Sequence, residues 1–310
     1  MRATVVVPTY RRSADLTRCL AAIRLQTRAP DAVIVTVRAD DADSAAVVSA
    51  LSPSWPALKH VTVARPGVVA AMNAALDAAG GDVLAFTDDD AEPEAEWLER
   101  LLAVFEMDPC VAGVGGRDVQ EGADPRASDV GRLQWFGRTI GNHHVGIGSA
   151  RHVDVLKGVC CAFRLSPLRD IRFDERLRGT GAQVHWELAL CLSMRRKGWI
   201  LVYDPAIRVL HHVGARHDAD QLHRGRFDVE PHENAVFNET LAIAEHLPML
   251  HRAVFRVWSL LVGTAAEPGV LQVPRIALRE GRTSLTRFAA TQGARAQGFR
   301  AAHRDERVDG

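Results

Sequence analysis

Lysine is scarce in this chain of 310 residues, occurring only at Lys59, Lys157 and Lys197, so nearly all basic charge is arginine. The bias fits the coding habit of a GC-rich genome, and arginine also suits phosphate forks. Basic and acidic residues balance at 38 each, which leaves no polyelectrolyte excess to draw the chain to nucleic acid. The cysteines, Cys19, Cys110, Cys160, Cys161 and Cys191, are odd in number and form no CxxC or Cys/His metal spacing. Cys160 and Cys161 stand in apolar surroundings, which predicts buried free thiols in a reducing cytoplasm. No run reaches the ~18 apolar residues that span a bilayer, and the opening Met1-Arg-Ala-Thr-Val-Val-Val-Pro lacks a signal peptide's apolar core. These absences predict a cytoplasmic protein, or one peripheral to the inner face of the cell membrane. A GxGxxG fingerprint is missing too: Pro8-Thr-Tyr-Arg-Arg follows the first strand, which argues against a dinucleotide cofactor.

What is present is an ordinary globular composition, 47% apolar and 25% charged, in a chain long enough for one large domain or a main domain with an appendage. Strands are predicted at 4–7, 33–37, 60–64 and 83–87. Helices are predicted at 13–25 with Ser13 as N-cap, at 43–51, at 68–79 closed by Gly80-Gly81, and from about Glu94 to Met107. Near-continuous apolar strands alternating with helices indicate a parallel sheet covered on both faces. After residue 110 the pattern loosens into what reads as loops and short strands, rich in Gly, Arg and His, with aromatics at Trp135 and Phe136. Order returns at Val153, with a helix from about His185 to Arg196 and a strand at Ile200–Tyr203. The chain reads as helical from about 230, and its end from about Gly293 reads as frayed.

The run Val83-Leu-Ala-Phe-Thr-Asp88-Asp89-Asp90 carries the most chemistry. Three consecutive carboxylates at a strand's carboxyl end repel one another unless a cation or a ring of donors neutralises them. Strand ends of this kind are where open α/β sheets bind ligands. The run reads as a metal-assisted site for an anionic substrate, with an acidic turn capping the following helix as the plainer alternative.

An ordered series of segments from about residue 3 to 215 resembles the family 2 glycosyltransferases of GT-A fold. It comprises Val5-Val-Val-Pro-Thr-Tyr-Arg-Arg12, Arg65-Pro-Gly67 through Asn73-Ala-Ala-Leu76, Gly81 through Asp90, Phe173-Asp-Glu-Arg-Leu, Glu187-Leu-Ala-Leu-Cys-Leu, Gly198-Trp, and Tyr203-Asp-Pro-Ala through His211. The resemblance implies an α/β fold, a Rossmann-like, mostly parallel sheet flanked by helices with a helical C-terminal extension. It divides the chain into a transferase domain over 1–225, with a nucleotide-sugar half at 1–110 and an acceptor half at 111–225, and an extension over 226–310. It implies inverting, metal-dependent transfer of a sugar from a UDP-, dTDP- or GDP-sugar to an acceptor hydroxyl on a glycan, a lipid-linked carrier or a small molecule. Cell-envelope polysaccharide or glycoconjugate synthesis is the expected setting.

The same resemblance implies roles. Asp90 would bind Mn²⁺ or Mg²⁺, Asp88 would reach the metal or the ribose, and Asp89 would assist at the donor or face solvent. His211 would complete the metal's shell, as imidazole suits Mn²⁺. Pro8, Thr9, Tyr10, Arg11, Asp40, Asp41, Arg65 and Asn73 are the further donor-site candidates, although Met72 stands where many relatives carry arginine and a solvated loop is the lesser alternative for Asp40 and Asp41. The proton acceptor is open between Glu187 and His185, because the Glu-Asp pair of many relatives is replaced by Gly181-Ala-Gln-Val-His-Trp-Glu187. That replacement keeps a non-catalytic nucleotide-binding partner in play, and a sugar nucleotidyltransferase is a further alternative. Residues 253–262 are apolar and flanked by Arg252, Arg256, Arg275, Arg279 and Arg282, which reads as packing, a homodimer contact, or peripheral membrane contact through 250–285.

Overall fold

A computed structural model describes residues 1–212, 227–281 and 283–305. Its first half alternates strands and helices: β1 (Ala3–Thr9), α1 (Ser13–Arg24), β2 (Ala32–Arg38), α2 (Ala42–Leu51), β3 (Leu58–Val63), α3 (Val68–Ala78) and β4 (Val83–Phe86). β1 pairs in parallel with both β2 and β4, and β2 with β3. Val5, Val6 and Val7 are all fully buried, so β1 is apolar on both faces, which helices covering a parallel sheet require.

Beyond β4 come β5 (Ala91–Pro93), α4 (Trp97–Met107), β6 (Val111–Val119), β7 (Arg132–Leu133), β8 (Thr139–Ile140), β9 (Arg151–His152), β10 (Cys161–Arg164), α5 (Leu165–Ile171), α6 (Trp186–Arg196) and β11 (Ile200–His211). The main sheet runs β3-β2-β1-β4-β10-β6-β11-β5, with β10 antiparallel to its neighbours and β11 parallel to β6. Leu16, Leu20, Leu98 and Phe105 of α1 and α4 cover one face. Met72, Leu76, Leu188 and Leu190 of α3 and α6 cover the other. The extension α7 (Val229–His246), α8 (Met249–Leu261), α9 (Val273–Glu280) and α10 (Thr283–Asp305) continues the second core through Phe237, Leu241, Phe255 and Phe299. Among the described residues no helix is long and apolar enough to cross a membrane.

Three expectations are corrected. The glycines at 113–116 lie in β6, a nine-residue strand near the middle of the sheet, rather than in loops. They are needed for close approach: a Cβ on Gly116 would stand 2.1 Å from the Ile207 carbonyl, and one on Gly113 2.6 Å from Leu201. Ser13 does not cap α1, whose N-cap is Arg12 without a side-chain cap bond. The helix α10 continues through Gly293 to Asp305 instead of fraying, because it packs along α7 with Ala294, Phe299 and Ala302 buried.

His143 shows how burial couples this core to pH. Its Nε2 lies 2.9 Å from the Val155 carbonyl, its ring edges Tyr203, and burial pushes its pKa down to about 4. The unfolded chain therefore takes up the proton first, so stability is full above about pH 6.5 and falls as pH drops towards 4, by about 1.4 kcal/mol per unit for each such group. In His143→Gln the slope of unfolding free energy between pH 6.5 and 5 should be shallower by about one proton, measured from denaturant midpoints; an unchanged slope would refute the assignment.

Candidate active site

The parallel strands β1, β2 and β4 end together on one edge of the sheet, where a cleft of about 180 Å³ opens. Pro8 and Thr9 line it from the end of β1, Tyr10 and Arg12 from the loop that follows, Thr36 and Arg38 from β2, Asp88 from beyond β4, and Lys157, Trp186 and Glu187 from the second half.

The three carboxylates are sorted by burial. Asp88 is half-buried and faces the cleft, whereas Asp89 and Asp90 are buried. Arg12 bridges the buried two: its Nε donates to Asp89 Oδ2 at 3.0 Å, NH1 donates to Asp90 Oδ2 at 2.7 Å, and NH2 pairs with Asp89 Oδ1. The Thr9 hydroxyl donates to Asp89 at 2.7 Å. Burial holds the Asp89 pKa up at about 7 against the opposing pull of Arg12. Asp89 neither faces solvent nor reaches the cleft; it anchors the β1 loop, which corrects the expectation of a donor contact.

His211 arrives by register. β11 runs antiparallel to β5 with His211 opposite Ala91, and the His212 N–H donates to the Asp90 carbonyl at 2.9 Å. One ligand atom each from Asp88, Asp90 and His211 falls within 4.8 Å of the others. His211 Nδ1 is 2.9 Å from Asp118 Oδ1, which turns Nε2 towards Asp90 Oδ1 at 3.3 Å. Burial opposes the imidazolium, but Asp118 and Asp90 outweigh it and carry the His211 pKa to about 9. A proton thus stands in for a cation. Two carboxylates and an imidazole, the latter oriented by a further carboxylate, fit a divalent ion of the Mn²⁺ type.

Across the cleft, Glu187 sits in the first turn of α6. Its Oε1 accepts from the Gly158 N–H at 3.3 Å and lies 3.4 Å from Lys157 Nζ. Burial would raise its pKa, but Lys157, backbone N–H groups and His185 bring it below the usual carboxylate range, so it is ionised at neutral pH.

Several candidates lie elsewhere. His185 does not line the cleft; in left-handed conformation at the start of α6, it directs its ring to Glu239 and Glu267 of the extension. Asp41 is buried, accepting from Arg11 N–H at 2.5 Å and from Ser44 N–H as the N-cap of α2. Asn73 is buried and brackets the Phe173 backbone. Arg65 is exposed and pairs with Glu175 at 3.0 Å. Asp40 stays at the rim, bound by Arg38 at 3.0 Å and by the Tyr10 hydroxyl at 3.3 Å, with Arg11 beside it at 3.5 Å. The sequence reading missed Arg12, Asp118 and Lys157. Of these only Lys157 carried a signal, as one of three lysines.

Residues 4–172 match the model described as glycosyl transferase family 2. The succinoglycan biosynthesis protein ExoM of Rhizobium meliloti (strain 1021) is 36% identical over 112 residues, 35% of this chain and 36% of its own. A pre-mycofactocin glycosyltransferase of Mycobacterium tuberculosis (strain ATCC 25618 / H37Rv) is 33% identical over 150 residues, 47% of this chain and 30% of its own. The chain thus spans about a third of the length of these curated relatives. Among solved structures, a mannosyltransferase from Pyrobaculum calidifontis in complex with GDP-Man and Mn²⁺ is 20% identical, covering 96% of this chain and 86% of that one with a TM-score of 0.53. GalNAc-T7 with UDP, GalNAc and Mn²⁺ is 13% identical, covering 77% and 47%, with a TM-score of 0.60. At these identities the likeness is one of fold, and the fold is that of the GT-A glycosyltransferases.

Two variants test the site's construction. Arg12→Met leaves Asp89 and Asp90 without their buried cation and should cost about 3–5 kcal/mol in denaturant unfolding; a loss under 1 kcal/mol would refute the bridging role. Asp118→Asn should weaken Mn²⁺ binding by about 10–100-fold, read as free Mn²⁺ by electron paramagnetic resonance, with the fold intact by circular dichroism. Equal affinity would show that His211 does not depend on Asp118.

Proposed function

The chain belongs to glycosyl transferase family 2, and from that membership we propose that it moves a sugar from a nucleoside-diphosphate sugar to an acceptor hydroxyl with inversion at the anomeric carbon. The observation that carries the reading is that Asp88 and an ionised Glu187 line one cleft, with Asp90 and His211 clustered beside Asp88. Asp88, Asp90 and His211 would hold a divalent ion, Mn²⁺ or Mg²⁺, which when bound neutralises the charge developing on the diphosphate leaving group. Pro8, Thr9 and Tyr10 with Thr36 and Arg38 would frame the nucleoside, and Asp40 lies at the same rim.

Glu187 is the proton acceptor in this proposal. It is ionised, lines the cleft, and is held in one orientation by the Gly158 N–H and Lys157, so it can take the hydroxyl proton as the acceptor attacks from the face away from the leaving group. His185, turned to the extension, acts on Glu187 only through charge. The division at about residue 226 and a cytoplasmic site at a membrane surface belong to the same proposal. The membrane contact is supported by the outward face of α8, where Met249, Leu250, Ala253, Val257, Leu260 and Leu261 are exposed in one stripe. Of the flanking arginines, Arg282 and the side chain of Arg279 lie outside the described residues.

Incubation with UDP-, GDP- and dTDP-sugars should release nucleoside diphosphate only when Mn²⁺ or Mg²⁺ is present. No turnover with any donor, together with no metal-dependent thermal shift by the three nucleotides, would sink the transferase reading and leave a non-catalytic partner. Glu187→Gln should lose about 10²–10⁴-fold in kcat while retaining nucleotide binding; full activity would return the role to another group.

A further inference from the structure

A second cavity lies away from the transfer cleft. It measures about 950 Å³, opens to solvent, and is lined by β7, β9, the carboxyl ends of α6 and α7, and the start of α8. Glu187 at one end of α6 faces the cleft, whereas Arg195 at the other end faces this cavity, about 12 Å farther along the helix axis. An acceptor hydroxyl reacting at Glu187 therefore does not occupy it.

Its chemistry selects an anion. Arg132, Arg151, Arg195 and Arg196 line it against two carboxylates, Asp129 and Asp154. Asp154 is already engaged: it accepts from the Leu133 N–H at 2.7 Å, lies 3.5 Å from Arg132 and contacts Arg195. Asp154 thus answers part of the Arg132 and Arg195 charge, and four arginines against two carboxylates leave the lining with an excess of positive charge.

The rim adds a second requirement. Leu247 and His251 line the cavity, and between them Met249 and Leu250 project into solvent, 83% and 73% exposed. They begin the outward stripe of α8, which extends over about 20 Å. A free phosphate would leave that stripe bare. A second copy of the chain would cover the stripe but would not answer the excess positive charge of the arginines. An amphiphilic anion answers both. Resting on the membrane-surface reading above and deepening it, we infer that this cavity binds the phosphate-bearing headgroup of an anionic membrane lipid, with the lipid chains against the stripe of α8.

The test is sedimentation of the full chain with vesicles of phosphatidylglycerol and phosphatidylcholine, against vesicles of phosphatidylcholine alone. The wild type should bind the anionic vesicles at least about tenfold more tightly. Arg132→Ala/Arg195→Ala should lose that preference, while Arg24→Ala/Arg100→Ala, which removes equal charge from the exposed faces of α1 and α4, should retain it. Met249→Ser/Leu250→Ser should weaken binding to both vesicles. A metal-dependent thermal shift with nucleotide reports folding, and Arg196→Gln serves as the cavity variant should the double variant fail to fold. Soluble glycerol 1-phosphate should compete for the anionic preference. Equal losses in the two double-arginine variants would overturn the cavity in favour of diffuse charge. Binding indifferent to lipid charge would overturn the headgroup site and keep the membrane contact. Absence of binding to either vesicle, or a solution dimer abolished by Met249→Ser/Leu250→Ser, would overturn both.

Discussion

The buried bridge from Arg12 to Asp89 and Asp90 is the interaction on which the rest of the site depends. Consecutive carboxylates cannot all turn inward without a counter-charge, nor can all face one metal. The guanidinium resolves this by holding both oxygens of Asp89 and one of Asp90, while the other oxygen of Asp90 lies 3.3 Å from His211 Nε2 and Asp88 lines the cleft. Because β1 and β4 are hydrogen-bonded neighbours, the same bridge ties their two loops together. The wall of the cleft and the cluster of Asp88, Asp90 and His211 are thus one piece of structure.

The remaining ligand is delivered by pairing over long sequence distance. β6 and β11 are parallel with Asp118 opposite Val209, and β11 carries His211 to the edge strand beside Asp90. The imidazole then lies between Asp118 and Asp90. The strand needed for this, β6, is admitted to the crowded middle of the sheet by residues without a Cβ.

That geometry explains what could be read from the chain alone. The first half was legible because a buried parallel strand must be apolar on both faces and a surface helix must not, so periodicity separates them. Asp88, Asp90, His211 and Glu187 were singled out through family resemblance; Asp88 and Glu187 line one cleft, and Asp90 and His211 cluster with Asp88. Asp89, Asp41 and Asn73 look the same in sequence as donor ligands, yet each satisfies a neighbouring segment inside the fold. Whether a polar side chain at a strand end turns in or out depends on the partner it meets, and those partners lie far off in sequence. Arg12 was hidden for that reason: next to the more exposed Arg11, it is the one that turns inward. β6 was hidden because glycine marks both loops and close-packed strands.

The eleven residues of α6 carry one further consequence. Glu187 stands in its first turn and the arginines of the distal cavity in its last, and a helix packed on both the sheet and α7 does not change length. With a lipid headgroup at the basic end, α6 acts as a fixed ruler between bilayer and chemistry. The headgroup and Glu187 would then stay about 12 Å apart along the helix axis whatever else in the protein moves.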